Sequence, residues 1–394
     1  MPDPRKIIFP ATALLLGLGL FLAVIEIGIR VVVPSERWRY RDSTHDFRID
    51  PVLGWVRGPN LDSGRLDYMT NELIRTRTNS DGLMPHDVSR PRRDGVSRVL
   101  LVGDSTIVGS GVDEEQRIHA QLQRQLQAGG IEVEVLNAGT EGWATDQAML
   151  RMEQLIDLYD PDMVLHCICA NDFAGNTATV FNGINKPRFE LDGDRRLAAM
   201  PFQATEQLRE YVAHRSLPTR LIQHSAFYRV LRPRITALRA RLGNWEARNV
   251  LGLTDEWYYD PQALENANWE LFSALIERMA RAAAEREVEF AVYTHPAVGA
   301  VWDPFIDGVQ GRIGDRPYDR LALENRIRDE VQAVGVRFVP LVDYFAGRQE
   351  RGPFHLSPND PHCNSAGYEL QAEALAALVG PRLLGQGAAG DGGE

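Results

Sequence analysis

The sequence predicts an α/β protein in which a parallel sheet of about five strands carries helices on both faces. Short apolar runs recur along the chain, and segments with helical spacing separate them. This alternation is typical of βαβ units, whose crossover helices cover both faces of a parallel sheet. The expected strands are 98–102, 133–136, 163–168, 288–293 and 336–342. The expected helices are 116–128, 146–158, 266–286, 318–333 and 365–378.

The first strand and helix illustrate the basis of these assignments. The run 98–102 is short, almost wholly apolar and ends at Gly103, as expected for a strand that is buried on both faces. The helix that follows places three apolar side chains on one face, Ile118, Leu122 and Leu126. Two consecutive glycines then end the helix.

Composition and charge favour a folded globular protein and argue against nucleic-acid binding. The chain has 394 residues, of which 44% are hydrophobic and 25% are charged, a mixture found in packed domains. Its formal net charge is −11 at pH 7, whereas a surface that meets phosphates must be basic. We therefore expect no nucleic-acid partner.

The three cysteines fit neither a zinc motif nor a disulfide scaffold. Cys167, Cys169 and Cys363 lack the paired spacing of either class. Buried free thiols are therefore expected. A bond between Cys169 and Cys363 stays open as an alternative, because both residues flank candidate site residues.

Residues 1–34 are predicted to form a membrane anchor. The run from Ile7 to Ile25 contains no charged residue, and a helix of this length reaches about 28 Å, enough to cross a hydrocarbon core. No small-residue cleavage site follows the run, which favours an uncleaved anchor over a signal peptide. Basic residues occur on both flanks, so charge alone does not fix the orientation.

Three further segments lie outside the alternating pattern. Residues 35–95 form a polar, turn-rich lead-in that lacks a core of its own. Residues 174–262 interrupt the pattern after the third strand, with a hairpin expected at 186–201 and helices at 203–246. Because loops at the carboxyl ends of parallel strands form ligand sites, this insertion is either a substrate lid or a solvated structural insert. Residues 384–394 are expected to be a disordered tail, which leaves 96–383 as the main domain.

A serine at the end of the first strand is the candidate nucleophile. Ser105 follows Gly103 and Asp104 at the turn from strand to helix, where its hydroxyl would be exposed at the sheet edge. A helix N-terminus at this point favours developing negative charge. The same residues also make ordinary helix N-caps, so this motif alone does not establish catalysis.

Two further loops at the same edge offer hydrogen-bond donors. Gly142 closes a loop with two glycines after the second strand, and such loops let backbone N–H groups point into a site. Asn171 closes the third strand, where its side-chain amide can donate to an oxyanion. Together with the N–H of Ser105, these two donors would form an oxyanion hole.

The candidate base is His362, in a loop that precedes the last helix. Asp360 lies two residues before it. A histidine can take the serine proton, and a carboxylate can hold its tautomer. His295, at the end of the fourth strand, is the rival base, whereas His166 lies inside a strand and is expected to be a core residue.

These four elements resemble the conserved blocks of the SGNH (GDSL-like) hydrolases, and the lead-in resembles that of bacterial membrane-anchored members. The blocks read GDS at 103–105, NAGTEG at 137–142, ANDF at 170–173 and DPHCNSAG at 360–367. The resemblance covers about 96–380 and implies a flavodoxin-like three-layer sandwich without metal or cofactor. It also implies a single-pass protein of the cytoplasmic membrane, with the catalytic domain on the periplasmic side. The chain has no G-x-S-x-G elbow, which argues against an ordinary α/β-hydrolase.

Two positions depart from the family's pattern. The third block usually has glycine where this chain has Cys169, and the last block usually has aspartate where it has Asn359. Asp360 is therefore the expected third member of the triad. The alternative is a serine–histidine dyad in which a backbone carbonyl holds His362. Two other acids are expected to be structural, Asp104 and Asp172.

The expected function is cleavage of an ester, on an envelope glycan or a lipid, through an acyl-serine intermediate. If a glycan hydroxyl accepts the acyl group in place of water, the protein is an O-acyltransferase of cell-envelope polysaccharide. A third possibility is an inactive relative that binds a glycan or a protein. The expected partners are the ester substrate and the membrane, through the N-terminal helix; the sequence identifies no protein partner.

Overall fold

The structure, a computed structural model, describes most of the chain. The described residues are 5–33, 46–66, 73–181, 184–204, 224–228, 230–231, 261–301, 319–357 and 360–390. The chain divides into two compact units. The first comprises residues 1–42, 64–74 and 211–246, and the second comprises 43–63, 75–210 and 247–394.

The second unit is built on a five-stranded parallel sheet. Its strands are β1 (Ser97–Val102), β2 (Val133–Asn137), β3 (Met163–Ile168), β4 (Glu289–Thr294) and β5 (Arg337–Val339). Their spatial order is β2-β1-β3-β4-β5. This is the flavodoxin-like order, in which the direction of winding reverses between β1 and β3 and ligands bind at the carboxyl ends of the strands. The predicted fold class is confirmed.

Helices cover both faces of this sheet. Successive residues of β1 point to opposite faces, so each face presents apolar side chains on which helices pack. Leu100 and Val102 are buried in a core with three helices, Thr145–Tyr159, Trp269–Ala284 and Ala322–Ala333. Val99 and Leu101 are buried in a second core with two helices, Ile118–Ala128 and Ser365–Gly390. The unit therefore has three layers.

Shorter elements connect these layers. The short helices are Ser105–Val108, Asn171–Thr177, Pro261–Leu264, Val298–Val301 and Val342–Ala346, and the 3₁₀ turns are Glu114–Gln116 and Gln349–Arg351. Four antiparallel strand pairs join Phe47–Asp50 with Gly54–Arg57, Val180–Phe181 with Ile184–Asn185, Phe189–Leu191 with Leu197–Ala199, and His355–Ser357 with Asp360–Cys363. Two further strands are Asp62–Leu66 and Leu73–Arg77.

The last strand is shorter than predicted. The expected strand at 336–342 ends at Val339, and a short helix begins at Val342. Pro340 follows β5 directly, and a proline has no N–H to continue a strand ladder. The apolar residues beyond it are buried through the short helix instead of through the sheet.

The last helix is longer than predicted. It begins at Ser365 as expected but continues to Gly390 rather than ending at Leu378. Val379 and Leu383 are buried in the same core as the helix Ile118–Ala128, so their packing extends the helix beyond the expected end. The helix therefore includes residues 384–390, which were expected to belong to a disordered tail.

The lead-in packs on a loop of the main sheet and, as predicted, has no separate core in its described part. Leu53, Trp55 and Val56 are buried in one cluster with Trp143 and Ile184. Trp143 follows the candidate loop after β2. This part of the lead-in therefore packs beside that loop.

The described part of the insertion agrees with its predicted hairpin. Phe189–Leu191 pairs with Leu197–Ala199, and the turn lies between them, within the expected range 186–201. The helices expected at 203–246 lie almost entirely outside the described residues. The role of the insertion as a lid stays a prediction.

In the first unit, the helix Arg5–Val32 contains a stretch that is long and apolar enough to cross a membrane. This stretch, Thr12–Val32, has a mean hydropathy of 2.3 and none of it is buried. Its Glu26 carboxylate accepts hydrogen bonds from the backbone N–H groups of Ala226, at 2.8 Å, and Phe227, at 2.9 Å. An acid in an apolar helix is costly unless it is paired, and these bonds supply partners.

Candidate active site

The turn after β1 places Ser105 at the carboxyl edge of the sheet. Asp104 caps the short helix that Ser105 begins, and its Oδ1 accepts hydrogen bonds from the Thr106 N–H, at 2.9 Å, and from Thr106 Oγ1, at 2.7 Å. Both Asp104 and Thr106 are buried, whereas Ser105 is partly exposed. The turn is thus held rigidly while the serine hydroxyl faces outward.

A hairpin brings His362 to this serine. The strand Asp360–Cys363 carries the histidine, and His362 Nε2 lies 2.9 Å from Ser105 Oγ. On the other side of the ring, His362 Nδ1 lies 2.6 Å from Asp360 Oδ1, which also accepts the backbone N–H of His362 at 2.9 Å. The structure therefore brings Asp360, His362 and Ser105 together in one hydrogen-bonded row.

The pair of Asp360 and His362 is electrostatically coupled. Burial would lower the pKa of His362, but the hydrogen bond and negative charge of Asp360 outweigh it, and the pKa is raised. Burial would raise the pKa of Asp360, but its hydrogen bonds to His362 outweigh burial, and that pKa is lowered. The arrangement favours an imidazolium beside a carboxylate, the pair that forms when a histidine takes a serine proton.

The loop after β2 is tied to the turn that carries Ser105. Asn137 donates its side-chain amide to the carbonyl of Ile107, and its Oδ1 accepts the Gly139 N–H at 3.0 Å. The Thr140 N–H donates to the Gly103 carbonyl at 3.3 Å. These bonds hold the loop that leads to the candidate oxyanion residue against the nucleophile turn.

Gly142 ends this loop in a conformation that favours glycine. Its φ is +75°, and a Cβ added there would lie 2.1 Å from Cε1 of Phe181. The Phe181 ring stacks on Trp55 with 5.6 Å between centroids, and Trp55 Nε1 donates to the carbonyl of Glu141 at 2.9 Å. An aromatic pair from the insertion and the lead-in therefore lies against Gly142. No motif or periodicity in the sequence indicates this pair.

Asn171 begins the helix after β3 and reaches the nucleophile turn from the other side. Its Nδ2 donates to Asp104 Oδ2 at 2.7 Å, and the same oxygen lies 3.4 Å from Ser105 Oγ. Nδ2 carries two hydrogens, so one is left for another acceptor. The Asn171 amide and the Ser105 hydroxyl thus both contact one carboxylate oxygen of Asp104.

Asp172 closes the turn in which glycine is replaced by Cys169. Its Oδ2 accepts the Cys169 N–H at 2.8 Å, and its Oδ1 accepts Thr145 Oγ1 at 2.9 Å. Burial and the nearby charge of Asp104 raise the pKa of Asp172 well above its usual value. Both acids bind neighbouring backbone or side-chain groups, and the structural role expected for them stays a prediction.

The remaining candidates occupy other positions. His295 is buried, and its Nε2 lies 3.8 Å from Cys363 Sγ. Of the two candidate bases, it is His362 whose ring nitrogen lies at Ser105 Oγ. His166 is buried in β3, as predicted, with Nδ1 3.1 Å from the Val102 carbonyl. The cysteines are free and buried, which confirms the prediction for them. Asn359 lies outside the described residues.

Several solved structures are similar to this chain at low sequence identity. A lipase/acylhydrolase from Enterococcus faecalis is 15% identical, with a TM-score of 0.38, and the match covers 73% of this chain and 96% of that one. A psychrotrophic esterase from Pseudoalteromonas sp. is 11% identical, with a TM-score of 0.38 and coverages of 73% and 99%. A family 3 carbohydrate esterase from Clostridium thermocellum is 14% identical, with a TM-score of 0.37 and coverages of 74% and 99%.

Family membership rests on the sequence itself. None of the curated proteins matches the chain. The family model described as GDSL-like lipase/acylhydrolase matches residues 101–370, well over half of the chain. This range contains the strand end that carries Ser105, the loops of Gly142 and Asn171, and the hairpin of His362. The chain belongs to the GDSL-like lipase/acylhydrolase family.

Proposed function

We propose that the chain is a serine hydrolase that cleaves an ester through an acyl-serine intermediate. The observation that carries this proposal is the row of three side chains at the carboxyl edge of the sheet. His362 Nε2 lies 2.9 Å from Ser105 Oγ, and Nδ1 lies 2.6 Å from Asp360 Oδ1. A nucleophile, a base and an orienting acid in this geometry match what covalent catalysis by serine requires.

In the first step, His362 takes the hydroxyl proton of Ser105 while Oγ attacks the ester carbonyl carbon. Asp360 keeps the Nδ1–H tautomer in place, so that Nε2 is free to accept the proton. The carbonyl oxygen becomes an oxyanion. His362 then gives the proton to the leaving alcohol, which departs and leaves the acyl group on Ser105.

Three donors stabilise the oxyanion: the N–H of Ser105, the N–H of Gly142 and the side-chain amide of Asn171. The positive φ of Gly142 and the bond from Asn171 to Asp104 support this assignment, because they fix donors on both sides of the serine. Donors fixed before the reaction are typically worth about 10²- to 10³-fold each in kcat. In the second step, water activated by His362 attacks the acyl-serine and releases the acid.

The N-terminal helix anchors the protein in the cytoplasmic membrane, with the catalytic domain, residues 96–383, on the extracytoplasmic side. The support is the apolar stretch Thr12–Val32, which is fully unburied in the described structure. Its large apolar side chains are exposed, including Leu14, Leu20 and Val31. A lipid environment would cover this surface. Protease protection of the full chain in sealed membrane vesicles tests the orientation.

The test of the reaction uses the full chain in detergent with p-nitrophenyl esters of increasing acyl length. Ser105→Ala should abolish hydrolysis, and the matched control Ser110→Ala, five residues along, should not. A serine-directed phosphonate should label the wild type and the control but not Ser105→Ala. Absence of both hydrolysis and labelling in the wild type would contradict the proposal. Labelling without hydrolysis would favour acyl transfer to an alcohol acceptor over hydrolysis.

A further inference from the structure

A second cluster of reactive side chains lies behind the proposed catalytic row. His295 follows β4, His355 begins one strand of the hairpin, and Cys363 ends the other, where it pairs with His355. Their exposed fractions are 6%, 4% and 0%. The proposed ester hydrolysis uses none of these three side chains.

Three potential metal-ligand atoms of this cluster lie close together. One nitrogen from each histidine and the sulfur of Cys363 lie within 4.8 Å of one another. His295 Nε2 and Cys363 Sγ are 3.8 Å apart. A metal bonded to nitrogen at about 2.0 Å and to sulfur at about 2.3 Å would hold the two atoms roughly 3.5–3.7 Å apart, the upper value for a trigonal angle. Because two such bonds span at most about 4.3 Å, any pair near the 4.8 Å limit must move inward as the site closes on an ion.

The surrounding groups orient the ligands in the way that metal sites require. His355 Nε2–H donates to the carbonyl of Pro296 at 2.8 Å, which leaves Nδ1 buried without a hydrogen-bond partner. Metal-binding histidines usually donate their second nitrogen to a carbonyl or a carboxylate in this manner. Gln371 Nε2 donates to Cys363 Sγ at 3.1 Å, although burial outweighs this bond and raises the pKa of the thiol, so a bound ion would displace the thiol proton.

The donor set and the burial together select the charge of the ion. One thiolate and two neutral imidazoles carry a single negative charge, so a monovalent cation would make these three ligands neutral as a set, whereas a divalent ion would leave a net positive charge on them, which is costly to bury. The nearby Asp360 carboxylate, which acts on both His355 and Cys363, is already paired with His362. A soft thiolate favours copper(I), and a His₂Cys set is a known trigonal copper environment. Zinc sites of the structural class have four ligands, and the described cluster supplies three.

We propose that His295, His355 and Cys363 bind one copper(I) ion in a dry, three-coordinate site behind Ser105 and His362. The family resemblance implies no metal, an expectation that stays a prediction and from which this proposal departs. The ion would join the end of β4 to both strands of the hairpin that carries His362.

The test uses the full chain in detergent, freed of metal with a chelator and titrated anaerobically against the copper(I) complex of a chromophoric chelator. The wild type should withdraw one equivalent of copper(I). His355→Gln and Cys363→Ser should each weaken binding by roughly 100-fold or more, because the loss of even an outer partner of a metal ligand costs 10- to 100-fold. Cys167→Ser removes a buried thiol outside the cluster and should bind as the wild type does.

Thermal unfolding separates loss of the ligand from loss of the fold. Copper(I) should raise the melting temperature of the wild type and of Cys167→Ser, since a ligand that binds only the folded state stabilises it. It should not raise that of folded His355→Gln. No withdrawal of copper(I), equal withdrawal by His355→Gln, or tighter binding of zinc(II) than of copper(I) in a parallel titration would each overturn the proposal.

Discussion

His362 Nε2 lies 2.9 Å from Ser105 Oγ, although 257 positions of sequence separate the two residues. A second bond locks the same elements together, because the Tyr368 hydroxyl donates to the carbonyl of Thr106 at 2.7 Å. Tyr368 is fully buried in the last helix. The relation of histidine to serine is thus set by the packing of the last helix on the nucleophile turn and not by a surface loop alone.

Replacing Asp360 by asparagine should lower kcat by about 10⁴-fold with little change in KM, because an amide no longer holds the Nδ1–H tautomer of His362. The acidic limb of the pH–rate profile should also move to lower pH, since Asp360 raises the pKa of His362 and a histidine base must be neutral to act. Initial rates of ester hydrolysis across pH measure both effects.

The matched control is Asp343→Asn, which changes an exposed acid in the short helix after β5. It should leave both the rate and the profile unchanged. If Asp360→Asn kept most of the wild-type rate, the alternative in which a backbone carbonyl orients His362 would be favoured instead.

Replacing Asn171 by alanine should lower kcat by about 10²- to 10³-fold, because one donor to the oxyanion is lost and such donors act mainly in the transition state. KM should change little. Asn325→Ala, on the helix Ala322–Ala333, is the control for loss of an amide elsewhere. A loss confined to KM would instead assign Asn171 to substrate binding in the ground state.

Most of the scaffold could be predicted from the sequence, because the pattern that identifies each strand or helix lies within one continuous segment. Four of the five strands are short apolar runs whose observed ends lie within a residue of the expected ones, as in β3 (Met163–Ile168). The positions of Ser105 and His362 followed from motifs at strand ends. The partner of His362 stayed open, because whether Asp360 or a carbonyl faces Nδ1 depends on the side-chain geometry of the hairpin.

The features that could not be predicted from the sequence are those formed between segments far apart along the chain. Phe181 and Trp55 stack beside Gly142, but they belong to the insertion and the lead-in, and no periodicity links them. The same holds for His355, which joins His295 and Cys363 only after the hairpin folds. Each residue taken alone has the sequence pattern of an ordinary core residue, so only the tertiary structure reveals the cluster.

Gly142 and Phe181 should show strong energetic coupling. Gly142→Ala places a methyl group 2.1 Å from the Phe181 ring and puts an L-residue at φ +75°. Phe181→Ala removes the clash but not the unfavourable φ. In a double-mutant cycle, Gly142→Ala with Phe181→Ala should therefore be less destabilised than the sum of the single variants. Melting temperatures in detergent provide the measurement.

A second glycine isolates the backbone contribution. Gly95 has φ +73° with open space around its Cβ position, so Gly95→Ala should cost only the left-handed penalty of about 1–2 kcal/mol. The double variant should be less stable than the single variant Phe181→Ala by the same amount. Additive effects in the cycle would mean that the Phe181 ring moves aside without cost.

The stability of the main sheet should depend on the ionisation of Glu324. This side chain is 8% exposed, and burial, with a smaller effect of the Asp343 charge, raises its pKa from 4.5 to about 7. The protonated form is therefore favoured by folding. Its contribution to stability is fully present below pH 4.5 and is lost as pH rises through about 7, at about 1.4 kcal/mol per pH unit.

Glu324→Gln keeps the neutral shape at every pH and should remove this dependence. Wild type and variant should have similar melting temperatures at pH 4.5, and the variant should be more stable at pH 8, by up to about 3 kcal/mol. Asp329→Asn, an exposed acid on the same helix, should follow the wild type throughout. Parallel curves for wild type and Glu324→Gln would mean that the surroundings of Glu324 open to solvent before its carboxyl group ionises.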